Sequence, residues 1–330
     1  MQKIINEPKA FVDEMLEGVL LAHPSALREA AHRVIVRADA PRPGKVAIVT
    51  GGGSGHLPLF MGYVGVGLAD GAAVGDVFAS PSSEQILEAT RAVEAGAGTL
   101  YLYGNYSGDV MNFDMAAELC MAEDIVTATF LAADDVASAP KGSEHRRRGV
   151  AGIAFLYKVA GACAEGGAPL AEVKAVTEHA AAGLRSMGVA LSPCTLPAAG
   201  KPTFELPDGE MEIGMGIHGE PGVRRGPLEP ASKVAAQLVE AVLADLDYRG
   251  NEVAVLINGL GATPREELYI VYRSVHRALT AAGVKVARTW VGEYATSLEM
   301  AGASVSLMKV DQQLLGLLDA PCESPFIVRR

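Results

Sequence analysis

The sequence predicts a two-domain α/β protein, the first domain with a mostly parallel sheet covered by helices and the second with a smaller mixed sheet. Three observations carry this. Short runs rich in β-branched residues alternate with segments whose apolar residues recur at helical spacing. Glycine-rich stretches follow two of those runs, at the strand edge where α/β folds place their ligands. A chain of 330 residues is long enough for two domains that each bury a core.

Taken in order, residues 9–22 set Phe11, Met15 and Val19 on one helical face and stop at His23-Pro24. A proline-rich turn over 39–44 precedes the run KVAIVT at 45–50, which reads as a buried strand. It enters Gly51-Gly52-Gly53-Ser54-Gly55-His56, expected to form a loop. A strand-like segment at 72–78, a helix over 82–95 and a strand at 99–103 lead to a second loop, Gly104-Asn105-Tyr106-Ser107-Gly108-Asp109. With a helix over 110–122 and a strand at 125–131, the loops 51–56 and 104–109 fall on one sheet edge. Helices are expected over 149–165 and 169–187. The proline-rich stretch 192–201 places the domain boundary so that residues 1–187 form one domain and 188–330 the other. Strands at 211–217, 252–258, 284–291 and 304–310, with helices near 230–246 and 264–282, make up the second domain.

Composition narrows the function. A formal net charge of -11 argues against nucleic acid as a partner, while small phosphorylated molecules stay open because backbone N–H groups can bind them. The basic run 141–148 then reads as a solvated loop or an anion contact. Cys120, Cys163, Cys194 and Cys322 form no C-x-x-C pair and are expected as reduced thiols of a cytoplasmic protein. The first 21 residues carry charges throughout, so no signal peptide is expected. Residues 46–69 lack Asp, Glu, Lys and Arg, yet seven glycines there argue against a membrane helix.

Three side chains carry candidate chemistry. His218 stands in E-M-E-I-G-M-G-I-H-G-E-P-G (210–222), where glycines bring the backbone close and an imidazole can act as base, metal ligand or nucleophile. The competing reading is a buried histidine hydrogen-bonded in a tight turn. His56 is a second glycine-flanked histidine. Asp109 follows Gly108 near a helix start, where it would serve either as a base or as an N-cap. Dinucleotide and P-loop templates fail: His56 stands where the third glycine of G-x-G-x-x-G belongs, and His56-Leu57 where a P-loop needs Lys and Ser/Thr. Metal-ligand spacing is missing too, so no metal site is expected.

Taken together, Arg37-Ala38-Asp39-Ala40-Pro41, Gly51 to His56, Asn105 to Asp109, Arg147 to Ala151, Pro197 to Pro202, Gly214 to Gly222, Leu260 to Pro264 and Tyr294 to Leu298 resemble the ketose-binding subunit of the dihydroxyacetone kinases, over nearly the whole chain. The resemblance implies a homodimer in which His218 holds a ketose as a hemiaminal, Asp109 accepts the proton of the phosphorylated hydroxyl, His56 positions the sugar, and Gly53 and Ser54 line the pocket. It also implies that this chain binds no cofactor. ATP or ADP with Mg2+ would sit on a separate nucleotide-binding helical subunit, which a phosphocarrier of the phosphotransferase system can serve. Better-known members have Glu where this chain has Leu57, and Lys where it has Gly104. These two positions are the specificity candidates, and the expected substrate shifts from dihydroxyacetone toward erythrulose or a branched pentulose. A non-catalytic ketose sensor acting through a regulator is a second reading. A stand-alone hydrolase or metal enzyme is a third, weakened by the missing G-x-S-x-G elbow.

Overall fold

The computed structural model describes residues 2–330, which form two compact units interleaved along the chain. The first comprises the residues up to Leu131, then Phe155–His179 and Leu314–Arg330; the second comprises Ala132–Ala154 and Ala180–Gln313. The boundary expected between residues 187 and 188 runs through a strand of the second unit, Leu184–Ala190.

In the first unit the elements are α1 (Phe11–Ala22), β1 (Leu27–Ala31), β2 (Val34–Arg37), β3 (Ala47–Ser54), β4 (Gly71–Val77), α2 (Ser83–Val93), β5 (Thr99–Gly104), α3 (Ser107–Ala122) and β6 (Thr127–Ala132). Helices α4 (Ile153–Glu165) and α5 (Leu170–Ala182) follow, the first unit taking their Phe155–His179 portion. The sheet runs β1-β2-β4-β3-β5-β6, with β4, β3 and β5 parallel and the β1-β2 hairpin antiparallel. One face buries Val34, Val36, Ala47, Val49 and Tyr101 against α2 and α3; the other buries Ile35, Ala72 and Val74 against α1. Covering both faces is what a parallel sheet requires.

The hairpin β1-β2 has no sequence signal, because its turn lacks glycine and asparagine. Arg33 takes a left-handed φ of 57° there, and its guanidinium is tied to Asp13 and Asp76, both at 2.5 Å. Long-range ion pairs hold a turn that local chemistry does not favour.

The glycine run also departs from expectation. Gly51 to Ser54 extend β3 and pair with β4, Gly51 with Ala73 and Gly52 with Val74. Glycine is needed for packing: a Cβ on Gly52 would stand 2.0 Å from a carbon of the buried Phe60 ring. Gly52→Ala is therefore expected to lower stability by about 1–3 kcal/mol through overpacking, read as a lower urea midpoint at unchanged slope. An unchanged midpoint would contradict this packing.

The rest of the chain carries β7 (Leu184–Ala190), β8 (Glu210–Ile213), β9 (Arg224–Pro227), α6 (Ala231–Asp245), β10 (Glu252–Gly259), α7 (Arg265–Ala281), β11 (Lys285–Gly292), β12 (Gly302–Val310) and α8 (Gln312–Asp319), the last belonging to the first unit from Leu314 onward. Short strands β13 (Cys322–Glu323) and β14 (Val328–Arg329) close the chain. In the first unit Lys158 Nζ donates to Leu317 O (2.6 Å) and Ser324 Oγ to Gly62 O (2.7 Å), so the last segment is fastened by buried polar bonds. The second unit's mixed sheet runs β11-β10-β12-β7-β8-β9 and has as many strands as the first. Its core packs α6 and α7 through Leu238, Val242, Leu268 and Val275 onto Val253, Val255 and Val305.

β7 replaces the end of an expected helix. Its pairing with β12 and β8 is long-range, and such pairing overrides a short stretch's own preference. β8 is shorter than its apolar run because Gly214, at φ 82°, turns the chain out of the sheet. Among the described residues no helix is long and apolar enough to cross a membrane.

Candidate active site

In the first unit, β3 leads on one side to β4 while the neighbouring parallel strand β5 leads to α3. This reversal lies between β3 and β5, and open α/β sheets bind ligands outside the carboxyl ends of strands at such a point. His56 follows β3 and Asp109 follows β5, so both arise at that edge.

His56 is fully buried. Its ring stacks on Phe78 with centroids 4.7 Å apart, and Phe60 meets it edge-on at 6.4 Å. Two aromatic rings thus fix the plane of the imidazole. Ser54 Oγ donates to Gly75 O (2.7 Å), locking the end of β3 to β4. Gly53 is buried there, and a Cβ on it would meet the Phe78–Ala79 backbone at 2.7 Å. Leu57 turns the other way, onto the core under α1 with Val12 and Leu16. Gly104 is the buried last residue of β5.

Asp109 is the third residue of α3 and is 8% exposed. It is not the N-cap: Tyr106 occupies that position and makes no side-chain capping bond. A carboxylate in the first helical turn is favoured by the macrodipole. The phenol of Tyr103 is pushed up by burial and then by the charges of Asp114 and Asp109, and that of Tyr157 by burial and, more weakly, by Asp109. Both phenols keep their protons, and Tyr157 shares one with Thr50 at 2.6 Å.

In the second unit His218 lies beyond the end of β8, in a turn closed by Gly219 at φ 83°. Its side chain is 24% exposed and its Nδ1 lies 3.2 Å from Glu220 Oε1. The other carboxylate oxygen accepts from the His218 backbone N–H at 3.0 Å. Arg148 Nη1 stands 3.7 Å from Glu220, while Nη2 is 2.7 Å from Asp135 and donates to Gly214 O (3.2 Å). Burial pushes Glu220 up, but the His218 bond and the charges of His218 and Arg148 outweigh it and hold the carboxyl at about 2. For Asp135 burial wins over Arg148, and its carboxyl rises to about 6.

The basic run at 141–148 is not a solvated face throughout. Arg147 is fully buried, donating to Asp245 at 2.9 and 2.6 Å, and Arg148 serves the His218 turn. Sequence reading did not single out Glu220 or Arg148. Glu220 had a faint signal, a carboxylate two residues past a histidine across a glycine. Arg148 lay in the basic run 141–148, where nothing tied it to the distant His218.

The chain matches the model of the Dak1 domain over residues 17–326. It belongs to the Dak1 family. Among relatives of this Dak1 chain, the dihydroxyacetone-binding subunit of a PTS-dependent dihydroxyacetone kinase of Listeria innocua is 46% identical, covering 98% of this chain and 99% of that one. A D-erythrulose kinase of Mycolicibacterium smegmatis is also 46% identical, over 98% of this Dak1 chain but 56% of the longer kinase. Among solved structures, the dihydroxyacetone kinase from C. freundii in complex with AMP-PNP and Mg2+ superposes with a TM-score of 0.90 at 33% identity, covering 99% of this chain and 61% of that one. The Dak1 match spans residues of both units.

Proposed function

We propose that this chain is the ketose-binding subunit of a dihydroxyacetone-type kinase, holding a short-chain ketose as a hemiaminal on His218 for phosphorylation of a terminal hydroxyl. The observation that carries the reading is its coextensive 46% identity with a chain named as a dihydroxyacetone-binding subunit. The roles given to His218, His56 and Asp109 are those that the resemblance implies.

Neutral His218 attacks the ketone carbon, and Asp109 takes the proton of the hydroxyl that receives the phosphoryl group. His56, held by its aromatic neighbours, positions the sugar, with Gly53 and Ser54 forming the wall behind it. The C–N bond supplies selectivity, since a polyol of the same size has no carbonyl to form it. Phosphoryl transfer needs Mg2+ and a nucleotide. A separate nucleotide-binding subunit brings them, with ATP as donor or with ADP recharged by the phosphotransferase system. The relative solved with AMP-PNP and Mg2+ extends well beyond the length matched here, in keeping with that division of labour. The chain works in the cytoplasm as a homodimer, and sedimentation as a monomer would remove the dimer from this account.

Relatives of equal identity are named for dihydroxyacetone and for D-erythrulose. Gly104, which ends β5 without a side chain, and Leu57, which packs with Val12 and Leu16, are the specificity candidates for a four-carbon ketose. Comparing kcat/KM for erythrulose and dihydroxyacetone, with the nucleotide-bearing partner present, is expected to favour erythrulose, and a clear preference for dihydroxyacetone rejects that choice. The covalent reading is tested by carbon NMR with each ketose labelled at the ketone carbon. A tetrahedral-carbon signal bound to the protein is expected; its absence with both sugars overturns the reading.

A further inference from the structure

We propose that Glu220 is a positioning residue that sets the tautomer of His218, keeping the proton on Nδ1 and the lone pair on Nε2, the atom that bonds to the ketose. The inference rests on the hemiaminal reading above and adds to it the residue that arms the nucleophile. An ionised carboxylate accepts hydrogen bonds and donates none, so the 3.2 Å contact with Nδ1 requires that Nδ1 carry hydrogen. In neutral imidazole the lone pair then belongs to Nε2.

Three features hold the carboxylate in place. Its second oxygen is bound by the His218 backbone N–H at 3.0 Å, so the ring and its partner belong to one small loop. Arg148, anchored to Asp135 and Gly214, places positive charge 3.7 Å away. Gly216 supplies the space: a Cβ there would stand 2.1 Å from Glu220 Oε2 and 2.5 Å from Arg148 Nη1. Glu220 is ionised at neutral pH, its carboxyl held below the ordinary carboxylate range by its bond to His218 and the charge of Arg148 despite burial.

The step balances as follows. The Nε2 lone pair forms the C–N bond, the carbonyl π pair moves to oxygen, and that oxygen takes a proton from solvent. Nδ1 keeps its hydrogen in the bond to Glu220, so the ring becomes an imidazolium paired with the carboxylate. The charge of Glu220 thus favours the adduct as well as the tautomer.

The test uses protein labelled with nitrogen-15 in histidine, first without ketose and then with the carbon-labelled sugars. Wild type is expected to show His218 as the Nδ1–H form. Glu220→Ala is expected to move it toward the Nε2–H form that free imidazole prefers, with loss of the adduct. The near-isosteric Glu220→Gln keeps an acceptor for Nδ1–H but no charge, so it is expected to keep the tautomer while the adduct constant falls about tenfold. A wild-type Nε2–H form, or an unchanged tautomer in Glu220→Ala, overturns the inference; an undiminished adduct in Glu220→Gln overturns its electrostatic part. A tautomer that responds while no variant, wild type included, forms an adduct rejects the ketose reading and leaves the role of Glu220 standing.

Discussion

His218→Ala is expected to erase the tetrahedral-carbon signal of bound ketose and phosphoryl transfer together, whereas Asp109→Asn is expected to keep the signal and lose transfer by about 10²–10⁴-fold. The separation follows from the proposed roles. His218 makes the bond that holds the sugar, so nothing downstream proceeds without it. Asp109 acts later, on the hydroxyl that attacks the phosphoryl group, and its amide counterpart keeps the shape while losing the basicity. Turnover measured with the partner subunit and nucleotide, alongside carbon NMR of the same preparations, reads both steps. An Asp109→Asn protein that turns over at the wild-type rate would remove Asp109 from the chemistry. A His218→Ala protein that retains the signal would move the covalent bond elsewhere.

The second large effect concerns stability. Arg37 is 1% exposed and binds three carboxylates: Asp39 at 2.9 Å, Asp70 at 3.1 Å and Glu165 at 2.8 Å. Asp70 is buried too, and its other oxygen accepts from Lys45 Nζ (2.6 Å) and the Ile48 N–H (2.8 Å). Arg37→Met leaves these acids short of one cation and is expected to cost about 3–5 kcal/mol at pH 7. The penalty should shrink in acid. The Arg37 bond, helped by Arg42, draws the Asp39 carboxyl down to about 2 despite some burial. A depressed carboxylate stabilises the fold fully above its unfolded value, near 3.9, and loses that contribution as pH falls through its folded value. The gap between wild type and Arg37→Met should therefore narrow between about pH 4 and about pH 2. Urea unfolding at both ends of that window measures it, and a constant gap would show that the cost is packing alone.

Arg37 also shows where reading the sequence stops. Arg37-Ala38-Asp39-Ala40-Pro41 helps to carry the family resemblance, yet its charged members form a buried ionic cluster whose other parts, Asp70 and Glu165, are far along the chain. Spacing cannot separate such a motif from a catalytic one. Pattern did reveal the strands β3, β4 and β5, as short continuous apolar runs buried on both faces, and the helices α2, α3, α6 and α7, whose buried residues recur at helical spacing. The strand β7 escaped, since its identity comes from β12 and β8 and not from its own residues. Glycine was the most ambiguous letter. At Gly52 it accommodates a ring, at Gly216 an ion pair, and at Gly219 a left-handed turn, and only the neighbours tell these apart. The edge bearing His56 and Asp109 was foreseeable from strand order, whereas Glu220 beside His218 needed the turn itself.

Synthesis meets a problem in this chain's interleaving. The first unit claims Leu314–Arg330, while every residue of the second lies at or before Gln313. A ribosome therefore polymerises all of the second unit before the first has its last pieces, although the first unit's sheet is made earliest. Until Lys158 can find Leu317 O, and Gly62 O can receive Ser324, the nascent first unit keeps a buried ammonium and a backbone carbonyl waiting. The unit made first is completed last, and bacterial or cell-free expression of the leading half would yield a sheet without its closing strap.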